Sequence, residues 1–253
     1  MSYKYKFGVD PELFLKENGV FVSAHDLLPG TKQRPHLIEG GACQVDGVAA
    51  EFNTIPVSTA SDFVEVINLV RRGMSALIQD NAERQGRTGL ELVATPTAWF
   101  DEKYFNALPE EVKLLGCTPD YNAYTGEPNY PPSTVLPFRT GAGHLHISWQ
   151  EAAVDPTDES HVALCREVVK QLDAILFPKS EVWDTDRQRR ELYGAVGSFR
   201  PKFYGVEYRP LSNSYLRSDD LIREVFNTAE FAVRLLFEDG VKAWEDERFQ
   251  KAA

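Results

Sequence analysis

The sequence predicts an α+β domain built on a mostly antiparallel sheet, with helices packed on one face and the other face left for a ligand. Three observations lead there: glycine turns that close β-hairpins near the N-terminus, amphipathic helical stretches concentrated later, and polar pairs at strand spacing.

"YKFGVDPELFLKENGVFVSAHDLL" reads as two strands joined at Asn18-Gly19, because Asn-Gly readily supplies the positive φ values of a tight hairpin turn. "GGACQVDGVAAEFNT" repeats the device with Asp46-Gly47. From Ser61, a candidate N-cap, the residues Phe63, Val66, Ile67, Val70, Met74, Leu77 and Ile78 fall at helical spacing, and Gly86 lies just past the end. "GLELVATP" reads as a strand. The segment 116–140 carries five prolines among glycine, tyrosine and asparagine, which suits a long loop or lid. After the strand "GHLHISW" come helical stretches over 160–176 and 180–193, the strand "FYGVEYRPL", and a last helix over 219–237. Without repeats or low-complexity linkers, the expectation is one catalytic domain spanning 1–253.

Composition excludes several function classes. With 27 basic against 38 acidic residues the net charge is −11, which repels both a phosphate backbone and an anionic lipid surface, so neither general nucleic-acid binding nor membrane association is expected. Cys43, Cys117 and Cys165 are odd in number and far apart, arguing for a reducing compartment and against a disulfide framework or thiolate zinc site. The opening residues "MSYKYKFGVD" lack the apolar stretch of a signal peptide, and no apolar run approaches a membrane span, so a cytoplasmic location is expected.

In a strand, residues i and i+2 point the same way, so strands over a core alternate apolar inward and polar outward. Three strands instead carry paired chemical groups: Asp10 and Glu12 around Pro11, His144 and His146, Glu207 and Arg209. Glu51 is a lone carboxylate in the apolar "DGVAAEFN". One sheet face lined with all of them accounts for the pattern, and crowded carboxylates need a cation between them. A divalent metal meets that need, while Arg209 has the planar fork that clamps a phosphate. Six basic residues against two acidic ones between Arg187 and Arg209 make this the most basic region, which brings Arg200 and Lys202 to a nucleotide-phosphate site. Lys32 is a fourth cation for the nucleotide, although any exposed loop explains it equally; Asp46 is explained by its turn. Each pair alone has a bland reading as solvated surface, and their coincidence carries the functional one.

The ordered motifs "GVDPELF", "DGVAAEFNTIP", "GAGHLHIS" and "GVEYRPLSNSYL" resemble the carboxylate-amine ligases of the glutamine synthetase and glutamate-cysteine ligase superfamily, closest to the small type 2 amidoligases of bacteriophages. The resemblance implies a glutamine synthetase-like catalytic domain whose active site sits on the concave face of a curved sheet. It further implies that Asp10, His144 and Glu207 hold one Mg²⁺ or Mn²⁺, that Glu12 and Glu51 hold another, and that Arg209 faces the γ-phosphate of ATP. Asp10 replaces the more usual glutamate, and no role carries over to His146. The implied chemistry is ATP-dependent amide formation through an acyl phosphate, with small-molecule or peptide carboxylate and amine substrates. Phosphoryl transfer asks mainly for positioning and charge neutralisation, which matches a chain with no nucleophilic triad. Two other readings compete. His144 and His146 with one carboxylate form the facial triad of an iron or zinc oxygenase or hydrolase, and a non-catalytic nucleotide-binding phage protein would keep the fold without the reaction.

Overall fold

The computed structural model describes residues 5–113, 120–130, 136–149 and 153–250. The N-terminal part comprises β1 (Lys6–Val9), β2 (Glu12–Glu17), β3 (Val20–Val22), β4 (His36–Ile38), β5 (Gly41–Asp46) and β6 (Ala49–Thr54), then α1 (Ala60–Arg84), β7 (Leu90–Val93) and β8 (Thr97–Trp99). Two short helices follow, α2 (Glu102–Ala107) and α3 (Glu110–Lys113), then β9 (Asp120–Asn122), β10 (Pro128–Asn129), β11 (Phe138–Thr140) and β12 (Leu145–Ser148). The remainder is α4 (Glu159–Ile175), α5 (Phe177–Trp183), α6 (Arg187–Leu192), β13 (Ser198–Lys202), β14 (Gly205–Tyr208), α7 (Asp219–Phe237) and the terminal turn α8 (Glu247–Gln250).

The class is α+β, with antiparallel pairing throughout the described strands. The strands form two six-stranded sheets rather than one. The first runs β1-β12-β14-β13-β9-β10; in the second, β3-β2-β6-β5-β4 carries β7 on the other edge of β2, and a ribbon pairs β11 with β8. The chain changes sheets at Asp10-Pro11. Glu12 N–H donates to Ala142 O (2.9 Å) and Phe52 N–H to Pro11 O (3.2 Å), so the crossing is stitched to β6 and to the turn before β12.

The hairpin turns behave as their sequences dictate. Asn18 and Gly19 have φ of 51° and 87°, and Gly47 opens the second turn with φ 58°. Helix α1 starts slightly earlier than Ser61 suggests, because Thr59 Oγ1 accepts from Asp62 N–H (3.1 Å) and so caps it. The stretch 180–193 is two helices, broken at Asp184, which caps α5 and accepts from Asp186 N–H (3.2 Å). Of the segment 116–140, residues 116–119 and 131–135 lie outside the described residues; 120–130 form a hairpin on the edge of the first sheet, and 138–140 pair with β8.

Alternation sorts the first sheet. Phe7, Val9, Leu145, Ile147, Val206, Tyr208 and Phe199 are buried in a core shared with α1, α4 and α7. Phe226 of α7 meets Phe7 (ring centroids 4.9 Å) and Phe63 of α1 (5.3 Å), tying helices to sheet. The opposite face carries Gly8, His146, Glu207 and Arg200, which the register places in one row across four strands. Two glycines let the next segment close on this row. A Cβ at Gly143 would stand 2.3 Å from Ser212 O, and one at Gly141 2.4 Å from Asn213 Nδ2. Gly143→Ala should therefore wedge the turn away from Ser212 and lower stability by roughly 1–3 kcal/mol, read as an earlier chemical-unfolding midpoint.

Candidate active site

Two groups of acidic side chains lie near this row, and one member of each, Asp10 and Glu51, lines a shared cavity. In the first, Asp10 Oδ1 lies 3.1 Å from His144 Nδ1 and 3.1 Å from His146 Nε2. Glu207, fully buried, is surrounded by cations: Arg209 donates to its Oε1, Lys202 Nζ is 2.6 Å from its Oε2, and Arg200 is 3.5 Å away. Burial and Asp10 raise the Glu207 carboxyl, but Arg209 and the two histidines outweigh them and hold it at about 2. Burial would likewise raise Asp10, yet His146 and His144 keep it well below the usual carboxylate range.

Arg209 is fully engaged. Its Nε donates to Asp120 Oδ2 (2.7 Å), and its two terminal nitrogens donate to Glu207 and to the Tyr193 hydroxyl. Since arginine only donates, the Tyr193 proton is left for His144 Nε2 (3.0 Å), which leaves His144 Nδ1–H to donate to Asp10. This relay assigns a neutral His144, in keeping with burial and Arg209 lowering its affinity for a proton. His146 differs. Asp10 raises its affinity for a proton against the opposing effect of burial, and its Nδ1 bonds the Tyr204 hydroxyl.

The second group is on the other sheet. Glu12 stands directly opposite Glu51, which stands opposite Gln44, and Asp46 follows on the same face. Glu12, Asp46 and Glu51 each bring an oxygen within 4.8 Å of the others'. Like charges so placed repel. Burial, followed by Asp46, raises Glu12 to about 7, and burial, Asp10 and Asp46 push Glu51 well above its usual range. Lys32 Nζ pairs with Asp46 (2.8 Å), Gln44 bonds Glu51, and Glu51 Oε2 is buried with no hydrogen-bond partner. A cavity of about 610 Å³ joins the groups, lined by Asp10, Lys32, Glu51, His146 and Tyr204 among others.

The structure thus brings Asp10, Glu12, Glu51, His144, Glu207 and Arg209 together, with Lys32, Arg200 and Lys202 at the edges. It groups His146 with Asp10 and Glu207, their ligating atoms within 4.8 Å of one another, and His144 Nδ1 also lies 3.1 Å from Asp10 Oδ1 and 3.5 Å from Glu207 Oε1. The motifs are also bonded to one another. Ala142 N–H donates to Glu12 Oε2 (3.1 Å), and Asn213 Nδ2 to Glu12 O (2.7 Å). Sequence reasoning missed Asp120, Tyr193 and Tyr204; Asp46 it set aside as a turn residue. The basic run divides: Arg189 is fully buried and donates to Gly141 O, Pro210 O and Leu211 O, and Arg190 pairs with Glu181 (2.6 Å), while Arg200, Lys202 and Arg209 turn to Glu207.

Residues 134–252 match the family described as phage phiEco32-like COOH.NH2 ligase-type 2. Over that stretch the chain is similar to this family. The match contains both the His-x-His and Glu-x-Arg strands, while Asp10, Glu12 and Glu51 precede it; Asp10 and Glu12 join it by donating backbone N–H to His144 O and Ala142 O, and Glu51 pairs with Glu12. The family's description is that of a carboxylate-amine ligase. Comparison with curated proteins gives no match. Among the described residues no helix is long and apolar enough to cross a membrane.

Two outcomes follow from the charges. Because Glu12 has a higher pKa folded than unfolded, the folded state holds its proton more tightly, so stability is greatest below the unfolded value and falls as pH rises from about 4.5 to about 7. Without divalent ions, urea midpoints should decline across that window, and Glu12→Gln should flatten the decline. Arg209→Lys keeps the charge but cannot serve Asp120, Glu207 and Tyr193 together; it should lower stability by about 2 kcal/mol or more, seen in its melting temperature.

Proposed function

We propose that the protein is an ATP-dependent ligase that activates a substrate carboxylate as an acyl phosphate and passes it to an amine. The observation that carries this reading is an under-neutralised acidic trio close to a cation-rich group, with Glu51 of the first and Asp10 of the second lining one cavity.

The donor sets fit divalent ions. Two further carboxylates, Glu12 and Asp46, around the buried, unpartnered Glu51 Oε2 suit a hard cation such as Mg²⁺ or Mn²⁺. Glu12, Asp46 and Glu51 would hold one ion, and Asp10, Glu207 and His146 a second, where imidazole favours Mn²⁺. Bound there, the ions would neutralise phosphate oxygens and ease departure of ADP.

The chain's own groups supply orientation. The Arg209 to Tyr193 to His144 relay fixes the direction of Asp10, and Asp120 fixes Arg209. We assign Arg209 to positioning in this ground state, with Lys202, Arg200 and Lys32 as the cations able to follow a phosphate. In the first step a carboxylate oxygen attacks the γ-phosphorus and the bond to the ADP oxygen breaks. In the second the amine nitrogen attacks the acyl carbon, phosphate leaves, and the nitrogen loses its proton. Both steps require exclusion of water, which the burial of Glu51, His144, Glu207 and Arg209 favours.

A specific contact favours one alternative. Asp10 Oδ1, 3.1 Å from both imidazoles, resembles the start of a two-histidine transition-metal site. Tight zinc or iron with no nucleotide binding would support that chemistry instead.

The central test is ADP release with Mg²⁺ or Mn²⁺ across a panel of carboxylic acids and amines. Glu51→Gln should abolish this release, because the amide keeps the shape and loses the charge a metal needs. Its melting temperature should equal or exceed that of the unaltered protein, since a buried carboxylate forced above its usual range is relieved. ADP formation at the unaltered rate would remove the acidic trio from the reaction.

A further inference from the structure

The ligase reading gives Lys32 a phosphate to follow but does not explain where its side chain rests without one. The residue sits near the tip of a tight turn in which Thr31 and Arg34 exchange backbone hydrogen bonds (3.1 and 3.0 Å). That turn is anchored on β5. Val45 N–H donates to Gly30 O (3.2 Å), and Gly30, at φ 93°, packs so closely that a Cβ would stand 2.5 Å from Cys43 O. The backbone of Lys32 is thereby fixed beside the acidic trio while its side chain stays half exposed.

The ammonium points at the trio rather than at solvent. It is 2.8 Å from Asp46 Oδ2, and Asp46, Glu51 and Glu12 all favour its charged form, outweighing burial, which acts the other way. One positive charge serves three carboxylates, and Glu51 Oε2 still has no partner. The residue also lines the cavity that Asp10, Glu51, His146 and Tyr204 share. A divalent cation bound by Glu12, Asp46 and Glu51 would repel an ammonium at this distance. The flexible four-carbon stem then allows the displaced charge to turn into the cavity.

We propose that Lys32 is a resident counter-ion of the Glu12, Asp46 and Glu51 trio, that a divalent cation displaces it, and that the displaced ammonium contacts a nucleotide phosphate in the cavity. The first half stands on the geometry alone, and the second rests on the ligase reading above. Metal and nucleotide are then coupled through one side chain. Removing its charge should have opposite effects on the two ligands.

The test is Lys32→Met, which keeps the stem and removes the charge, with Lys32→Gln as a second neutral variant. Titration calorimetry with Mn²⁺ alone should show both variants binding the ion roughly tenfold more tightly than the unaltered protein. Titration of the Mn²⁺-saturated proteins with a non-hydrolysable ATP analogue should show both binding it more weakly, again roughly tenfold. Glu51→Gln, measured alongside, should bind one Mn²⁺ fewer than the unaltered protein, losing the site whose affinity the Lys32 variants raise. Mn²⁺ affinity in the Lys32 variants equal to or weaker than that of the unaltered protein at both sites overturns the counter-ion role, as does an unchanged number of bound Mn²⁺ ions in Glu51→Gln. Tighter Mn²⁺ with undiminished nucleotide affinity overturns the coupling. If the unaltered protein binds Mn²⁺ and no nucleotide, the ligase reading fails, while tighter Mn²⁺ in Lys32→Met still upholds the counter-ion.

Discussion

Negative charge held out of water is the constraint around which this protein is built. Asp10, Glu12, Glu51, Asp120 and Glu207 lie close together where the chain crosses from one sheet to the other, and a carboxylate taken out of water is stable only with a cation or donors around it. The fold supplies these unevenly. Glu207 has Arg209, Lys202 and Arg200, and Asp120 shares Arg209; Glu12 and Glu51 have an amide, a backbone N–H and the outlying Lys32. Hence one group is held ionised while the other is driven toward protonation. A fold optimised for stability alone would distribute its cations more evenly, and the imbalance is what makes the second group a receptor for positive charge.

Regular elements were legible where local physics decides them. Helices α1, α4 and α7 follow from apolar periodicity and capping residues, and the Asn18-Gly19 hairpin follows from its positive φ values. The division into two sheets was not legible, since it depends on the backbone stitching Pro11 and Glu12 to Phe52 and Ala142, far away in sequence. Strand β13 escaped for a related reason: "SFRPK" is short, contains proline and alternates weakly, and its pairing with β14 and β9 determines it.

The candidate site was legible as paired residues at i and i+2, because strand geometry alone forces such pairs onto one face. Which member of a pair does what is decided by partners from elsewhere. His144 and His146 have the same spacing signal, yet Tyr193 from the end of α6 claims one and Tyr204 from the β13 to β14 turn claims the other. Asp46 shows the converse. A turn aspartate has a sufficient local explanation, and only the register beside Gln44 and Glu51 reveals that it also completes an acidic trio. Asp120, set in a proline-rich stretch, had no local signal at all.

Arg209 shows how these constraints join. A guanidinium that had only to neutralise Glu207 would need one edge of its fork, yet here the remaining donors reach Asp120 on the edge hairpin and Tyr193 after α6. The same buried side chain therefore pins two peripheral segments and, through Tyr193, sets the tautomer of His144 and the orientation of Asp10. Arg189 reinforces this from behind by holding Gly141 O, Pro210 O and Leu211 O, so that the turn before His144 and the loop after Arg209 cannot drift apart. Direction passes from a core arginine to a relay and then to a carboxylate at the cavity wall. Movement is left to the lysines at the edge, whose flexible stems can follow a ligand while the carboxylates stay where the sheets hold them.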